Sequence, residues 1–260
     1  DAQRMHEAFT GIVIRDQLLD QLGQAMNSGR AMMIYGPPGT GKTYISQRLI
    51  RLLSDAVWIP HAIAINEVVL EILDPQLHKP MPLESEQPSL RLDQGVDRRL
   101  VRCQRPIVIT GGELTMDMLD VRFDPFTRQY QAPLQLKASN GIFIIDDLGR
   151  QRMAPLELFN RWIVPMEEKK DFLNLGGGRH CEIPFDLLLV FSTNLNPLTL
   201  ADEAFLRRIG YKLHFEHLHT DEYARIWQQE CEKQGVAYDP GLVTYAIEHL
   251  HRPMQVPLLP

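Results

Sequence analysis

Short runs of consecutive apolar residues alternate along this chain with stretches in which apolar positions recur every three or four residues. Ala31-Met32-Met33-Ile34-Tyr35, Pro106-Ile107-Val108-Ile109-Thr110, Ile142-Phe143-Ile144-Ile145 and Leu187-Leu188-Leu189-Val190-Phe191 read as buried strands. Asp16 to Asn27 reads as a helix with Leu18, Leu19, Leu22 and Met26 along one face, ended by Ser28-Gly29 with Gly29 as a left-handed cap. Tyr44 to Leu53 has helical spacing. Ala154 to Met166 has it too, and is expected to turn Leu156, Leu158, Phe159, Trp162 and Ile163 inward. Strands alternating with helices predict an α/β fold around a parallel sheet.

The remaining stretches are less regular. Ala56 to Pro60 reads as a strand. Asn66 starts a predicted short helix over Glu67 to Leu73, stopped by Asp74-Pro75, and Val96 to Cys103 also reads as helical, carrying Arg98, Arg99 and Arg102. Pro75 to Pro88 is proline-rich and aperiodic: a solvated connector, or a partner-contacting loop presenting Leu77, His78 and Met81. Asp120 to Ala138, with Phe123, Phe126 and Tyr130, reads as an insertion holding a partial hairpin. The charge run Glu167 to Asp171 reads as a solvated face. Phe172 to Leu175 and Arg179 to Ile183 fit a second hairpin around Gly176-Gly177-Gly178. Tyr211 to Phe215 alternates as an edge strand. Thr220 or Asp221 caps a helix through Lys233, and Asp239-Pro240 opens another through His249.

With 260 residues the chain holds one large domain, or a large one with a small appendage, and 44% hydrophobic content supports a substantial core. A net charge of −6 argues against a surface that grips nucleic acid throughout, while leaving room for a local basic track. Cys103, Cys181 and Cys231 show no metal-type spacing. That sparse set, with no secretory signal and no apolar run of membrane-spanning length, points to a reducing, cytoplasmic setting. Asp1 in place of Met reads as a trimmed or internal start, and Val256 to Pro260 as an interrupted segment.

The chemistry concentrates after the first apolar run. Gly36-Pro37-Pro38-Gly39-Thr40-Gly41-Lys42-Thr43 matches G-x-x-x-x-G-K-[ST], a phosphate-cradling loop, and sits between a strand and a helix as that loop requires. Glycines let backbone N–H groups face phosphates, and the helix N-terminus adds partial positive charge. Lys42 is expected to reach the β- and γ-phosphates of a nucleotide, and the Thr43 hydroxyl to ligate Mg²⁺. Ile12 and Val13, in the extended segment Thr10 to Arg15, suit an adenine groove, and Tyr44 follows the loop directly. Asp146 and Asp147 end the strand beginning at Ile142. Asp146 is expected to hold Mg²⁺ and Asp147 to orient the attacking water. Asn194, ending the strand from Leu187, is expected near the γ-phosphate. His214, His217 and His219 hint at a metal, but no cysteine or acid completes the set.

As a set, Gly36–Thr43, Ile142–Asp147, Ser192–Asn194 and Arg207-Arg208 resemble the AAA+ ATPases over nearly the whole chain. The resemblance implies a P-loop three-layer α/β sandwich over residues 1–217 and a partial, truncated helical lid over 218–260. It implies ATP and Mg²⁺ as cofactors, Arg207 or Arg208 as an arginine finger offered to a neighbour, and a homo-oligomeric ring, a hexamer in the family's usual form. The hairpin before the sensor strand resembles the branch of MoxR-like ATPases, magnesium-chelatase subunits and enhancer-binding activators. A protein-remodelling motor is the function implied. Asp-Asp-Leu-Gly at 146–149 also resembles helicase loaders and transposition ATPases, which makes a nucleic-acid-linked switch the alternative, and a scaffold without turnover a third reading. Three departures stand out. Asp147 replaces the family's usual Glu, which points to slow or regulated hydrolysis; the GAFTGA signature is absent; and Arg252 is the only nearby residue for the lid's sensor arginine, with a poor fit.

Overall fold

The computed structural model describes residues 5, 7–53, 55–65, 67–82, 97–126, 128–176 and 178–260. Helix α1 (Asp16–Ser28) is followed by strand β1 (Met32–Tyr35), helix α2 (Lys42–Arg48) and a 3₁₀ turn at Leu49–Leu52. Then come β2 (Ala56–Pro60), β3 (Ala62–Ile65), β4 (Val68–Glu71), β5 (Leu100–Gln104) and β6 (Ile107–Thr110). The hairpin β7 (Arg122–Asp124) and β8 (Gln129–Gln131) leads to α3 (Leu134–Lys137), β9 (Ile142–Ile145) and α4 (Pro155–Glu168). A second hairpin, β10 (Lys170–Asn174) and β11 (His180–Pro184), precedes β12 (Leu188–Thr193), α5 (Pro197–Leu200), α6 (Glu203–Leu206) and β13 (Tyr211–His214). The chain closes with α7 (Thr220–Gln234), α8 (Pro240–Ala246), a π-helical stretch Ile247–His251 and α9 (Arg252–Met254).

Five strands form the central sheet in the order β13-β1-β12-β9-β6, all parallel. Alternate side chains of each strand enter opposite layers, which is why these runs are apolar at every position. Met33, Phe143, Ile145, Leu189 and Phe191 face Leu158, Phe159 and Trp162 of α4. Met32, Ile34, Ile142, Ile144 and Val190 face Leu19 and Leu22 of α1 and Ile45 of α2. This is the three-layer α/β sandwich expected. The helices of 218–260 follow β13. Helix α1 ends one residue later than the spacing suggests, with Gly29 in the left-handed conformation, φ 61°.

A third apolar cluster, built from Ile59, Leu70, Ile72, Cys103, Leu136, Leu173 and Ile183, holds two small sheets against the second hairpin. Here several expectations fail. Within Glu67 to Leu73 the structure has strand β4, flanked by β3 and β8, and within Val96 to Cys103 it has β5, paired antiparallel with β2. Short β-branched segments take whichever form their neighbours pair with, and cross-strand packing overrides local spacing. The helix start placed at Asn66, the residues 83–96 and the glycine tip at Gly177 lie outside the described residues. Leu77, partly buried, packs on the main core, and His78 is buried between the Asp74 N–H and the Lys137 carbonyl, each 2.8 Å away, so the His78 ring is not presented at the surface.

Asp171 is not part of a solvated face. It is 1% exposed and accepts from both ends of the Arg161 guanidinium, and from Gln135 Nε2 at 3.0 Å. Leu156 of α4, expected inside, is exposed. The cap of α7 is His219, one residue earlier than expected, whose N–H donates to Glu222 at 2.7 Å.

Candidate functional site

Because β1, β12 and β9 are adjacent and parallel, the segments leaving their carboxyl ends converge, and ligands of such sheets bind at that edge. Tyr35 leads into the glycine-rich loop, Ile145 into Asp146 and Asp147, and Thr193 into Asn194. Together Pro38, Gly39, Thr40, Lys42, Asp146 and Asn194, with Gly41, Thr43, Tyr44, Asp147 and Ser192, line a cavity of about 310 Å³.

The loop's backbone explains its glycines. Gly39 and Gly41 have φ of 76° and 80°, the left-handed region that side chains resist. Gly36 packs so closely that a Cβ there would stand 1.9 Å from the carbonyl oxygen of Phe215. Inside the loop, Lys42 is 6% exposed and its Nζ donates to the carbonyls of Gly36 at 3.0 Å and Pro37 at 2.6 Å. Burial lowers the pKa of this ammonium, while Asp146 and Asp147 work in the opposite direction. Gly36 and Pro37, expected to touch nucleotide, are not among the cavity's lining residues; here they hold Lys42 through their carbonyls.

Thr43 donates its hydroxyl proton to Asp146 Oδ2 at 2.8 Å, linking loop and strand end. Asn194 Nδ2 donates to Asp147 Oδ1 at 3.1 Å. Asp147 has φ 47°, a left-handed backbone that Asp tolerates better than longer side chains do. One residue that motif reading missed organises this turn. Gln151 Nε2 donates to the carbonyls of Asp146 (3.0 Å) and Asp147 (3.2 Å), while its Oε1 accepts from the Gly149 N–H at 2.8 Å. Its proximity to the Asp pair was the only signal available. Ser192, on the cavity wall, lay within the sensor strand's signature without an assigned role.

A second cavity, about 1,020 Å³, shares Thr40, Gly41 and Tyr44 with the first and extends past Ile12, Val13 and Arg15 to Glu222 on α7. Ile12 and Val13 therefore lie where a base-binding wall would be. Arg15 bridges to Glu222 and Glu216, both at 2.7 Å. Burial alone would raise the Glu222 carboxyl pKa, but hydrogen bonds from Arg15 and the His219 N–H hold it below the usual carboxylate value. Arg207 and Arg208 line neither cavity. Arg207 is 80% exposed and 3.6 Å from Glu203; Arg208 lies 2.6 Å from Glu167 and donates to the Ala204 carbonyl at 2.6 Å. Arg252 is exposed in α9 and lines neither cavity. Among the described residues no helix is long and apolar enough to cross a membrane.

Residues 219–260 match a family model described as a domain of unknown function, DUF8689. No curated protein matches the chain. A crystal structure of NtrX from Brucella abortus in complex with ADP superposes with a TM-score of 0.51 at 14% identity, covering 95% of this chain and 48% of that one. Another NtrX structure gives 0.50 at 13%, covering 95% and 50%. A complex of magnesium-chelatase subunits BchI and BchD gives 0.50 at 15%, covering 94% and 71%. The chain thus spans about half the length of the NtrX chains it matches, and at these identities the likeness is one of fold. Residues 12–168, more than half of the chain, match the family model described as AAA ATPase domain. With the parallel sheet and phosphate loop in place, the chain belongs to the AAA+ ATPase family.

Proposed function

We propose that this protein binds ATP in the two joined cavities and hydrolyses it as one member of a ring of identical chains, acting on a protein partner. The observation that carries the reading is the convergence of Lys42, the Thr43–Asp146 pair and the Asp147–Asn194 pair around one cavity that opens into a larger one beside Ile12 and Val13. The base would lie against Ile12, Val13 and Tyr44, and the phosphates along Gly39 to Thr43. Lys42 would exchange its carbonyl partners for phosphate oxygens, a stronger charge-assisted contact.

The Thr43 hydroxyl and Asp146 carboxylate, 2.8 Å apart, are two hard oxygen donors of the kind Mg²⁺ takes beside phosphate and water, so the residues present fit that ion. When bound, Mg²⁺ neutralises charge developing on the transferred phosphoryl group. Asp147 would accept the proton of the attacking water, with Asn194 holding its carboxylate in place. Arg207 or Arg208 would reach a neighbouring chain's γ-phosphate; Arg207 is already directed to solvent, whereas Arg208 would have to leave Glu167. Magnesium chelatase offers a relative in which subunits assemble, BchI with BchD.

The alternative, a nucleic-acid-linked switch, draws support from the β7–β8 hairpin. It packs Phe123 against Tyr130 with ring centroids 4.9 Å apart and planes tilted by 52°, leaves Phe126 96% exposed and carries Arg122 and Arg128. ATPase rate and particle mass, each with and without nucleotide, test the main reading: turnover should rise with assembly. Full turnover by a Lys42→Ala variant would overturn it, and DNA binding with a steep salt dependence would favour the switch.

A further inference from the structure

Helix α7 buries one residue, and that residue is a carboxylate: the Glu222 side chain is 10% exposed. None of the three apolar clusters draws a residue from 218–260. Among the described residues the joint between the helical segment and the sheet layers is made outside those clusters, with Leu218, Leu259 and Pro260 meeting the large cavity and the glycine-rich loop, and joints with little shared apolar core open at low cost. Arg15 spans it. Its Nε and Nη2 donate to the two Glu222 oxygens at 2.7 and 3.1 Å, Nη1 donates to Glu216 at 2.7 Å, and Nη2 reaches the His217 carbonyl at 3.2 Å. Glu222 also accepts the His219 N–H, so the carboxylate that starts α7 is the one that ties it down.

Arg15 lies two residues beyond Val13 and caps α1 with an extended backbone, φ −70° and ψ 136°. Residues 12–15 belong to no helix or strand. Ile12 and Ile14 pack on the second apolar cluster from one side, and what packs on Ile12 and Val13 from the cavity side bears on where the Arg15 guanidinium stands. Both ends of the ion pair line the same cavity as Ile12 and Val13.

We propose that Arg15 is a positioning residue that carries the occupancy of the large cavity to the helical segment, through its two-pronged pair with Glu222. This rests on the nucleotide reading above. A purine against Ile12 and Val13 fixes the extended stretch, Arg15 follows it, and α7 settles at one angle. With the cavity empty the same pair holds the helix more loosely, because Ile12 and Ile14 anchor the stretch on the second apolar cluster while no occupant braces Val13 and Arg15 from the cavity side.

The test is hydrogen–deuterium exchange of the α7 amides with and without saturating ADP and Mg²⁺, alongside titration with a fluorescent ADP analogue. In the unaltered protein ADP should slow exchange in the first turns of α7 roughly tenfold, a coupling of ordinary size. Arg15→Gln should erase that dependence at saturating ADP, and Arg15→Lys should keep part of it while preserving the fold. ADP binding with no change in α7, or a dependence that survives Arg15→Gln, overturns the proposal and leaves the nucleotide reading standing. No ADP binding by the unaltered protein overturns both.

Discussion

Asn194 donates its side-chain amide to Asp147 across 3.1 Å, and so the ends of two neighbouring parallel strands are joined at the point where a water would be activated. Asn194→Ala frees one carboxylate oxygen without removing the carboxylate. Phosphate release should fall roughly tenfold to a hundredfold, while ADP titrations change by less than threefold; Asp147→Asn should fall further. Restoring the family's usual residue with Asp147→Glu carries a conformational cost. The backbone is left-handed at φ 47°, and urea unfolding should report about 1 kcal/mol lost.

Lys42 is held by the Gly36 and Pro37 carbonyls, and its removal leaves both without that donor. For Lys42→Ala, ADP affinity should drop by about 2 kcal/mol or more, close to thirtyfold, as read by titration. Unchanged affinity would remove the phosphates from this loop. Gln151→Leu should act differently, slowing turnover through the Asp146–Asp147 turn with affinity nearly kept.

The shared-site arrangement can be tested by mixing. Lys42→Ala chains should be inactive alone, and so should whichever of the Arg207→Ala and Arg208→Ala chains lacks the finger, both arginine variants still binding ATP. Mixed assemblies should recover activity, since an intact loop can then meet an intact arginine. Recovery with one arginine variant and not the other identifies the finger. No recovery with either ends the idea of a split site.

Asp171 and Arg161 form a nearly buried pair, and breaking it leaves a charge without compensation. Arg161→Leu should cost about 3 kcal/mol in urea unfolding. Replacing both residues with apolar ones, as in Arg161→Met with Asp171→Leu, should recover most of that loss.

His78 supplies a pH dependence. Burial, opposed by its hydrogen bond to Lys137 and by Asp74, lowers its pKa below 6.5, with Lys137 lowering it further. The folded chain therefore binds this proton less readily than the unfolded one. Its contribution is complete above pH 6.5 and is lost as pH falls through the lowered value. The urea midpoint should decline from pH 7.5 to 5.5, and His78→Gln should flatten that slope.

The phosphate loop was readable because its determinants are local: Gly36, Gly39 and Gly41 are demanded by the loop's own backbone and the closely packed Phe215. The central strands were readable because burial on both faces leaves an unbroken apolar run. β4 and β5 were not, since four- and five-residue strands owe their form to partners β3, β8 and β2 rather than to their own spacing. Asp171 was misread for a related reason: the Arg161 that neutralises it lies on α4, and charge runs carry no mark of burial. The Arg15–Glu222 pair joins residues 207 positions apart, a separation that no local pattern reaches.

The contact of the Phe215 carbonyl with Gly36 has a mechanical meaning. Phe215 directly follows the edge strand, donating its N–H to the Tyr35 carbonyl, and Glu216 and His217, both held by Arg15, come next. The first glycine of the loop thus serves as a bearing surface against which the connection to the last helices rests. Even one methyl group placed there would shove that connection outward, so the loop's shape and the seating of the helices stand or fall together.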